Sequence, residues 1–323
     1  MGARRTCGAR SNARQQAPEG RPLLAPYHRP VTVYLDHAAS APLRPEVLEQ
    51  MLPHLRGEQA NPSSPHAPGR RARAALDEAH ERLAAAVGAG PRALVFTGGG
   101  TEAINLAVKG AAWAGKAEGH RIITTGIEHK AVLESCLLLE KYGFEIRRLP
   151  VDRYGRVDPD DLTAALTDKT VLVSLQLANN EVGTIQPIGE LVQRVRAGSG
   201  ARVHLDAVQA AAWMPIDVSD LDADLISFAA HKVEGPKGIG ALWIRRGTAI
   251  LPQVHGGSQE RYRRACTENV AGAVGMAAAF ELAAEERDET VPRVRAQRDR
   301  LRQTMLEIPG VELTGHPDER LPN

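Results

Sequence analysis

From residue 31 onward, short β-branched runs alternate with longer amphipathic stretches, and no other feature restricts the fold of this chain so much. Residues 31–35, 93–96, 121–125, 171–175, 203–205, 225–228 and 240–244 read as strands. Residues 45–55, 69–87, 101–115, 130–141 and 188–197 read as helices. Strands separated by helices need crossover connections, so the expected class is α/β, a largely parallel sheet with helices on both faces. Two long helices at 268–286 and 290–307 follow, then a strand-like piece at 311–313. A length of 323 residues fits about two domains.

Composition removes several function classes. No run approaches the ~18 apolar residues of a membrane span, so no membrane association is expected. The net charge of +1 provides no broad basic field for nucleic acid. Three cysteines, Cys7, Cys136 and Cys266, are odd in number and far apart. They form neither a disulfide framework nor a CxxC-type metal site, and they fit a reducing, cytoplasmic setting. Residues 1–30 hold six arginines and one acid without apolar periodicity, and read as a disordered, solvated tail. An organellar transit peptide is the alternative, although no amphipathic helix pattern supports it.

Three short segments carry chemistry. Thr97-Gly98-Gly99-Gly100-Thr101-Glu102 follows a strand and opens a helix. Glycines there allow close backbone approach, and the helix start offers free N–H groups to a phosphate; a plain Gly-rich turn is the bland reading. His204-Leu205-Asp206-Ala207-Val208-Gln209 ends a buried strand in a carboxylate, where open α/β sheets bind ligands; a helix-capping Asp is equally compatible. Ser227-Phe228-Ala229-Ala230-His231-Lys232 places one of only seven lysines after an apolar strand. A lysine there is costly to bury unless it is neutralised, and condensing with a carbonyl does that; a surface lysine is the alternative. Together, phosphate cradle, acid and lysine at successive strand ends are the order expected of a pyridoxal phosphate site.

The chain also resembles the NifS-like cysteine desulfurases, class V aminotransferases of fold type I. The resemblance rests on Tyr34-Leu35-Asp36-His37-Ala38-Ala39, Asn61-Pro62-Ser63-Ser64, Glu128-His129-Lys130-Ala131-Val132, Asn179-Asn180-Glu181-Val182-Gly183 and Gly256-Gly257. It implies a mostly parallel seven-stranded sheet and pyridoxal 5′-phosphate as cofactor. It also implies a large domain over 31–286, to whose partner domain the N-terminal segment contributes, and an incomplete small domain beginning at 287–323. By this resemblance Lys232 holds the cofactor's aldehyde, Asp206 partners the ring nitrogen, and His129 stacks on the ring and relays protons. Gln209 and Asn180 lie near the phenolic oxygen and the substrate carboxylate. Gly100, Thr101 and His231 bind the phosphate, and Thr267 reaches the phosphate of a second subunit, which implies a homodimer. The implied substrate is L-cysteine, and the implied partner is a sulfur acceptor such as an iron–sulfur scaffold.

Two departures qualify the resemblance. Ala229 stands where the family commonly has a phosphate-binding serine. The family's sulfur-accepting cysteine and carboxylate-clamping arginine are expected beyond Asn323, and none of the three cysteines matches that position. The chain as given is therefore expected to turn over little or no cysteine. A non-catalytic, cofactor-binding or dimerisation remnant is the alternative to an active desulfurase, and transamination is a weaker third reading.

Overall fold

The computed structural model describes residues 33–57 and 60–323. Contacts divide the chain into two units, residues 1–35 and 36–323. Of the first, only 33–35 are described, and they form no strand, contrary to expectation; Val33 and Leu35 are exposed. A β-branched run becomes a strand only when a neighbour pairs its backbone groups, and residues 33–35 form no such pairing. The Arg-rich segment 1–30 and Cys7 lie outside the described residues.

Six other sequence-predicted strands form within two residues of expectation. They are β1 (Leu94–Thr97), β2 (Arg121–Thr125), β4 (Thr170–Gln176), β5 (Arg202–Asp206), β6 (Leu225–Ala229) and β7 (Gly240–Ile244). One strand is new, β3 (Glu145–Leu149) at the sheet edge. Its Glu-Ile-Arg-Arg-Leu sequence hides the strand signal, because charged side chains protect an exposed edge. The seven strands run in the order β1-β7-β6-β5-β4-β2-β3. The pairs from β6 through β3 are parallel; β7 is antiparallel to both β6 and β1. The piece at 311–313 does not become a strand. Gly310 turns the chain there at φ +83°, and the nearest pairing is an isolated bridge between Thr184 and Arg320.

Helices cover both faces, as alternation required. Among the described residues the helices are α1 (Pro45–Arg56), α2 (Ala67–Ala86), α3 (Gly100–Ala114), α4 (Lys130–Glu140), α5 (Pro159–Ala165), α6 (Ile188–Gly198), α7 (Gln259–Tyr262), α8 (Val270–Glu285) and α9 (Arg287–Leu306). On one face α2, α6 and α8 pack on Val173, Leu175, Val203, Leu205 and Phe228. On the other, α3 (Gly100–Ala114) and α4 (Lys130–Glu140) pack on Ile122, Leu172, Leu225 and Leu242. Cys136 on α4 is fully buried in this second layer, as expected of a small core residue. The short helix Pro159–Ala165, capped by the Asp158 side chain on the Asp160 N–H, was not legible as a separate helix. The helix Arg287–Leu306 has no buried residue, so its sequence signal was propensity rather than an apolar stripe.

The α3/α4 face changes character along the strands. Its apolar residues give way toward the carboxyl ends to Ser174, Gln176, His204, Asp206 and Ser227, all buried. His204 bridges the sheet, with Nδ1 2.8 Å from Ser174 Oγ and Nε2 2.8 Å from Ser227 Oγ. Complete burial pushes this imidazole down to about 3, so it is neutral. A polar floor under the strand ends is where a polar ligand can be seated without orphaning buried groups.

Candidate active site

β6 runs straight into a single 3₁₀ turn, Ala230–Lys232, which projects Lys232 over the carboxyl edge of the sheet. Its Nζ donates to the carbonyls of Ala38 and, at 3.1 Å, Ala39. Burial pulls this ammonium below its ordinary range, against the pull of Asp206, Asp36 and Glu181. A lysine that sheds its proton more readily is a better nucleophile at neutral pH.

Asp206 closes β5, with Oδ1 accepting the Val208 N–H at 3.0 Å. Burial pushes its carboxyl up to about 6, although the Val208 N–H and Lys232 oppose this. Such a group gains most from a permanently placed cationic N–H donor. Nearby Gln209 donates from Nε2 to the Ala38 carbonyl at 2.9 Å, so Lys232 and Gln209 both brace the same loop.

The glycine-rich segment lies between β1 and α3, and Gly99 at φ +148° caps the helix, which starts at Gly100. A Cβ on Gly100 would lie 3.0 Å from both Ala229 Cβ and Val208 Cγ2, so the backbone approaches its neighbours closely here. The Gly98 N–H donates to Glu102 Oε2 at 2.8 Å, and Arg264 grips the same carboxylate at 2.7 and 3.1 Å. That pair holds the loop in shape while the first N–H groups of α3 stay free for an anion.

His129 precedes α4 and caps it, its Nδ1 accepting the Ala131 N–H at 3.1 Å. With Nδ1 an acceptor, the neutral ring carries its proton on Nε2. Partial burial and the neighbouring Lys232 and Lys130 hold the imidazole below its usual range. Behind it Glu128 is buried and accepts from Thr125 Oγ1 at 2.9 Å; burial pushes it up to about 8. Glu128 is thus a neutral acid at pH 7.

Gly100, Thr101, His129, Asn180, Asp206, Gln209, His231 and Lys232 line one cavity of about 1290 Å³. The structure therefore gathers eight of the nine residues singled out in the sequence. Asn180 donates from Nδ2 to Glu181 at 2.9 Å, and His231 Nδ1 lies 3.4 Å from Ser40 Oγ. Thr267, expected to reach a second subunit's cavity, is exposed and does not line the cavity of its own chain. Cys266 beside it is exposed at φ +110°, a backbone region that favours glycine. Sequence reasoning missed the Glu102–Arg264 clamp, the Ala38–Ala39 carbonyls and Gln176. The last had one visible signal, a polar residue directly after the apolar-rich run 171–175.

The family model of the class V aminotransferases (Aminotransferase class-V) matches residues 33–323. The chain belongs to this family. Among similar proteins is the cysteine desulfurase IscS of Dictyoglomus turgidum, 51% identical over 292 residues, which are 90% of this chain and 74% of that one. A solved NifS-like protein superimposes with a TM-score of 0.88 at 39% identity, covering 90% of this chain and 80% of that one. SspA in complex with cysteine superimposes with a TM-score of 0.75 at 38% identity, covering 77% of this chain and 72% of that one. This class V aminotransferase is of the pyridoxal phosphate-dependent kind, and its cavity fits the cofactor. The cavity offers a buried acid for a ring nitrogen, a lysine for an aldehyde and a glycine-cradled helix start for a phosphate. It also contains a buried amide donor, Gln176 Nε2, with no partner of its own.

Proposed function

We propose that this chain is the cofactor-binding body of a cysteine desulfurase, working in the cytoplasm as a homodimer on L-cysteine and passing sulfur to an acceptor protein such as an iron–sulfur scaffold. One observation supports this most strongly: Lys232, Asp206 and the Gly98–Thr101 loop converge on one cavity from three strand ends, in a chain whose relatives are cysteine desulfurases. We read residues 31–286 as the large domain and 287–323 as the start of a small one; the absence of buried residues in 287–306 supports that division.

In this reading Lys232 and His129 are the catalytic residues. Asp206, Gln209, Asn180, Gly100, Thr101, His231 and, from a second subunit, Thr267 bind the cofactor. Pyridoxal phosphate supplies an electron sink, since its protonated ring stabilises negative charge at the substrate's Cα. Asp206, held by the Val208 N–H, keeps the proton on that ring nitrogen. Lys232 takes up and returns protons at Nζ beside the Ala38 and Ala39 carbonyls. His129 keeps Nδ1 on the Ala131 N–H and offers Nε2–H to the cavity as a donor; taking up a second proton would fall to Nδ1 and cost the cap. Overall, L-cysteine and a thiol become alanine and a persulfide: the Cβ–S bond breaks, an S–S bond forms, and a proton replaces sulfur on the substrate carbon.

Among the described cysteines, neither Cys136 nor Cys266 lines the cavity, and burial pushes the Cys136 thiol up to about 12, so neither supplies the attacking thiolate. The test measures alanine and sulfide from L-cysteine with dithiothreitol present to reduce persulfide. The chain alone should give little of either. The chain joined to the C-terminal part of the Dictyoglomus relative should give both in equal amounts, and Lys232→Ala in that form none. Alanine without sulfide, or full turnover by the Lys232→Ala form, contradicts the reading.

Ala229 is buried at the cradle beside Gly100, and Ala229→Ser would add a hydroxyl donor where the phosphate is read to sit. Tighter cofactor binding is expected, by up to ~1.5–3 kcal/mol and less where water already serves the phosphate. Cofactor titration of the two apoproteins checks this, and equal dissociation constants would show that another group makes the contact.

A further inference from the structure

Gln176 ends β4 and stands in register opposite Asp206 on the adjacent parallel strand. It is 3% exposed and lines the cavity, and its Nε2 has no hydrogen-bond partner. A buried amide donor left unpaired is costly, so such a group marks a contact still to be made. Asp206 has matching capacity: the Val208 N–H occupies Oδ1, and a carboxylate can accept at both oxygens. Neighbouring strands lie about 4.8 Å apart, which puts a Gln side chain within reach of a carboxylate opposite it.

We propose that Gln176 is a positioning residue for Asp206: its amide donates to the Asp206 carboxylate when that carboxylate pairs with the cofactor's ring N–H, and so holds it ionised and aimed. This rests on the reading of Asp206 as the partner of the ring nitrogen. The competing acceptor is Glu128, whose Oε2 is also unpartnered. Glu128 does not line the cavity, whereas Gln176 and Asp206 do. A neutral acid is also the weaker acceptor of the two.

The experiment is pyridoxal phosphate titration of the full apo chain across pH, for the unaltered protein, Gln176→Met, Asp206→Asn and the double variant. Methionine keeps the side chain's length and removes the donor. At pH 8 the single Gln176→Met change should weaken binding about ten-fold, the scale of one hydrogen bond to a charged group. Losing a donor to the anion raises the carboxyl's pKa, so the pH at which binding is lost on acidification should move up. The groups facing Asp206 are Lys232 from the turn after β6, and Glu128 and His129 from the segment after β2; they are common to both proteins and cancel in the comparison. In the Asp206→Asn background the Gln176 change should alter affinity by less than about two-fold, because the coupled partner is gone. Equal affinity and midpoint in Gln176→Met, or an undiminished penalty in the Asp206→Asn background, overturns the proposal. An undiminished penalty that instead disappears in Glu128→Gln assigns the amide to Glu128. Should Gln176→Met fail to fold, Gln176→Glu keeps the shape and sets a second acid beside Asp206, with a larger upward shift expected. Failure of the unaltered chain to bind the cofactor sinks the parent reading instead.

Discussion

Lys232→Ala should abolish covalent capture of pyridoxal phosphate and with it the visible absorption band of the loaded protein. Lys232 leaves the end of β6 with its amine held against the Ala38 and Ala39 carbonyls, whereas Gln209, which shares the Ala38 carbonyl, offers only an amide. On the proposed reading the cofactor would then be held by its non-covalent contacts alone, and its affinity should fall on the order of a hundred-fold or more. The fold should survive, because the two carbonyls that lose the ammonium face a cavity open to water, and one such contact is worth about 1 kcal/mol. Absorbance titration reports the first effect and thermal unfolding the second. An undiminished band in the variant would remove Lys232 from the chemistry.

Gly240→Ala should be severely destabilising although it adds a single methyl group. Gly240 pairs with Ala229 of β6 on one side and Thr97 of β1 on the other. A Cβ there would lie 2.5 Å from Gly99 C, 2.7 Å from Phe228 O and 2.8 Å from Gly100 N. All three are backbone atoms, so no side chain can swing aside to relieve the overlap. Either the β6–β7 pairing opens or the Gly99–Gly100 loop shifts, at a cost of about 3–5 kcal/mol. The second route distorts the helix start read as the phosphate cradle, so cofactor affinity should fall together with stability. Urea unfolding checks the magnitude, and a loss below about 1 kcal/mol would show that the loop yields freely.

These two residues also show what the sequence could reveal. Lys232 was visible because a rare lysine followed an apolar strand, and Asp206 because a carboxylate ended one. Strand ends of a parallel sheet share one edge, so residues far apart in sequence meet there once the α/β class is known. Gly240 had no comparable signal: its role depends on β7 sitting between β6 and β1, and antiparallel insertion of that strand is not written in local periodicity. β3 was hidden because an exposed edge strand reads as a charged loop. Gln176 was passed over because one polar residue in a strand is uninformative until its register neighbour, Asp206, is known. Residues 33–35, the described part of the expected first strand, misled in the opposite direction, since β propensity forms no strand without a partner.

On the proposed reading the cavity captures pyridoxal phosphate through Lys232, and borohydride reduction would fix that link in place. The chain is loaded with cofactor, reduced, digested and mapped by mass spectrometry. Of its seven lysines, Lys232 alone should carry the reduced pyridoxyl group. Lys109 and Lys237 line the same cavity and are the demanding controls. The label on either of them, with Lys232 unmodified, would contradict the account.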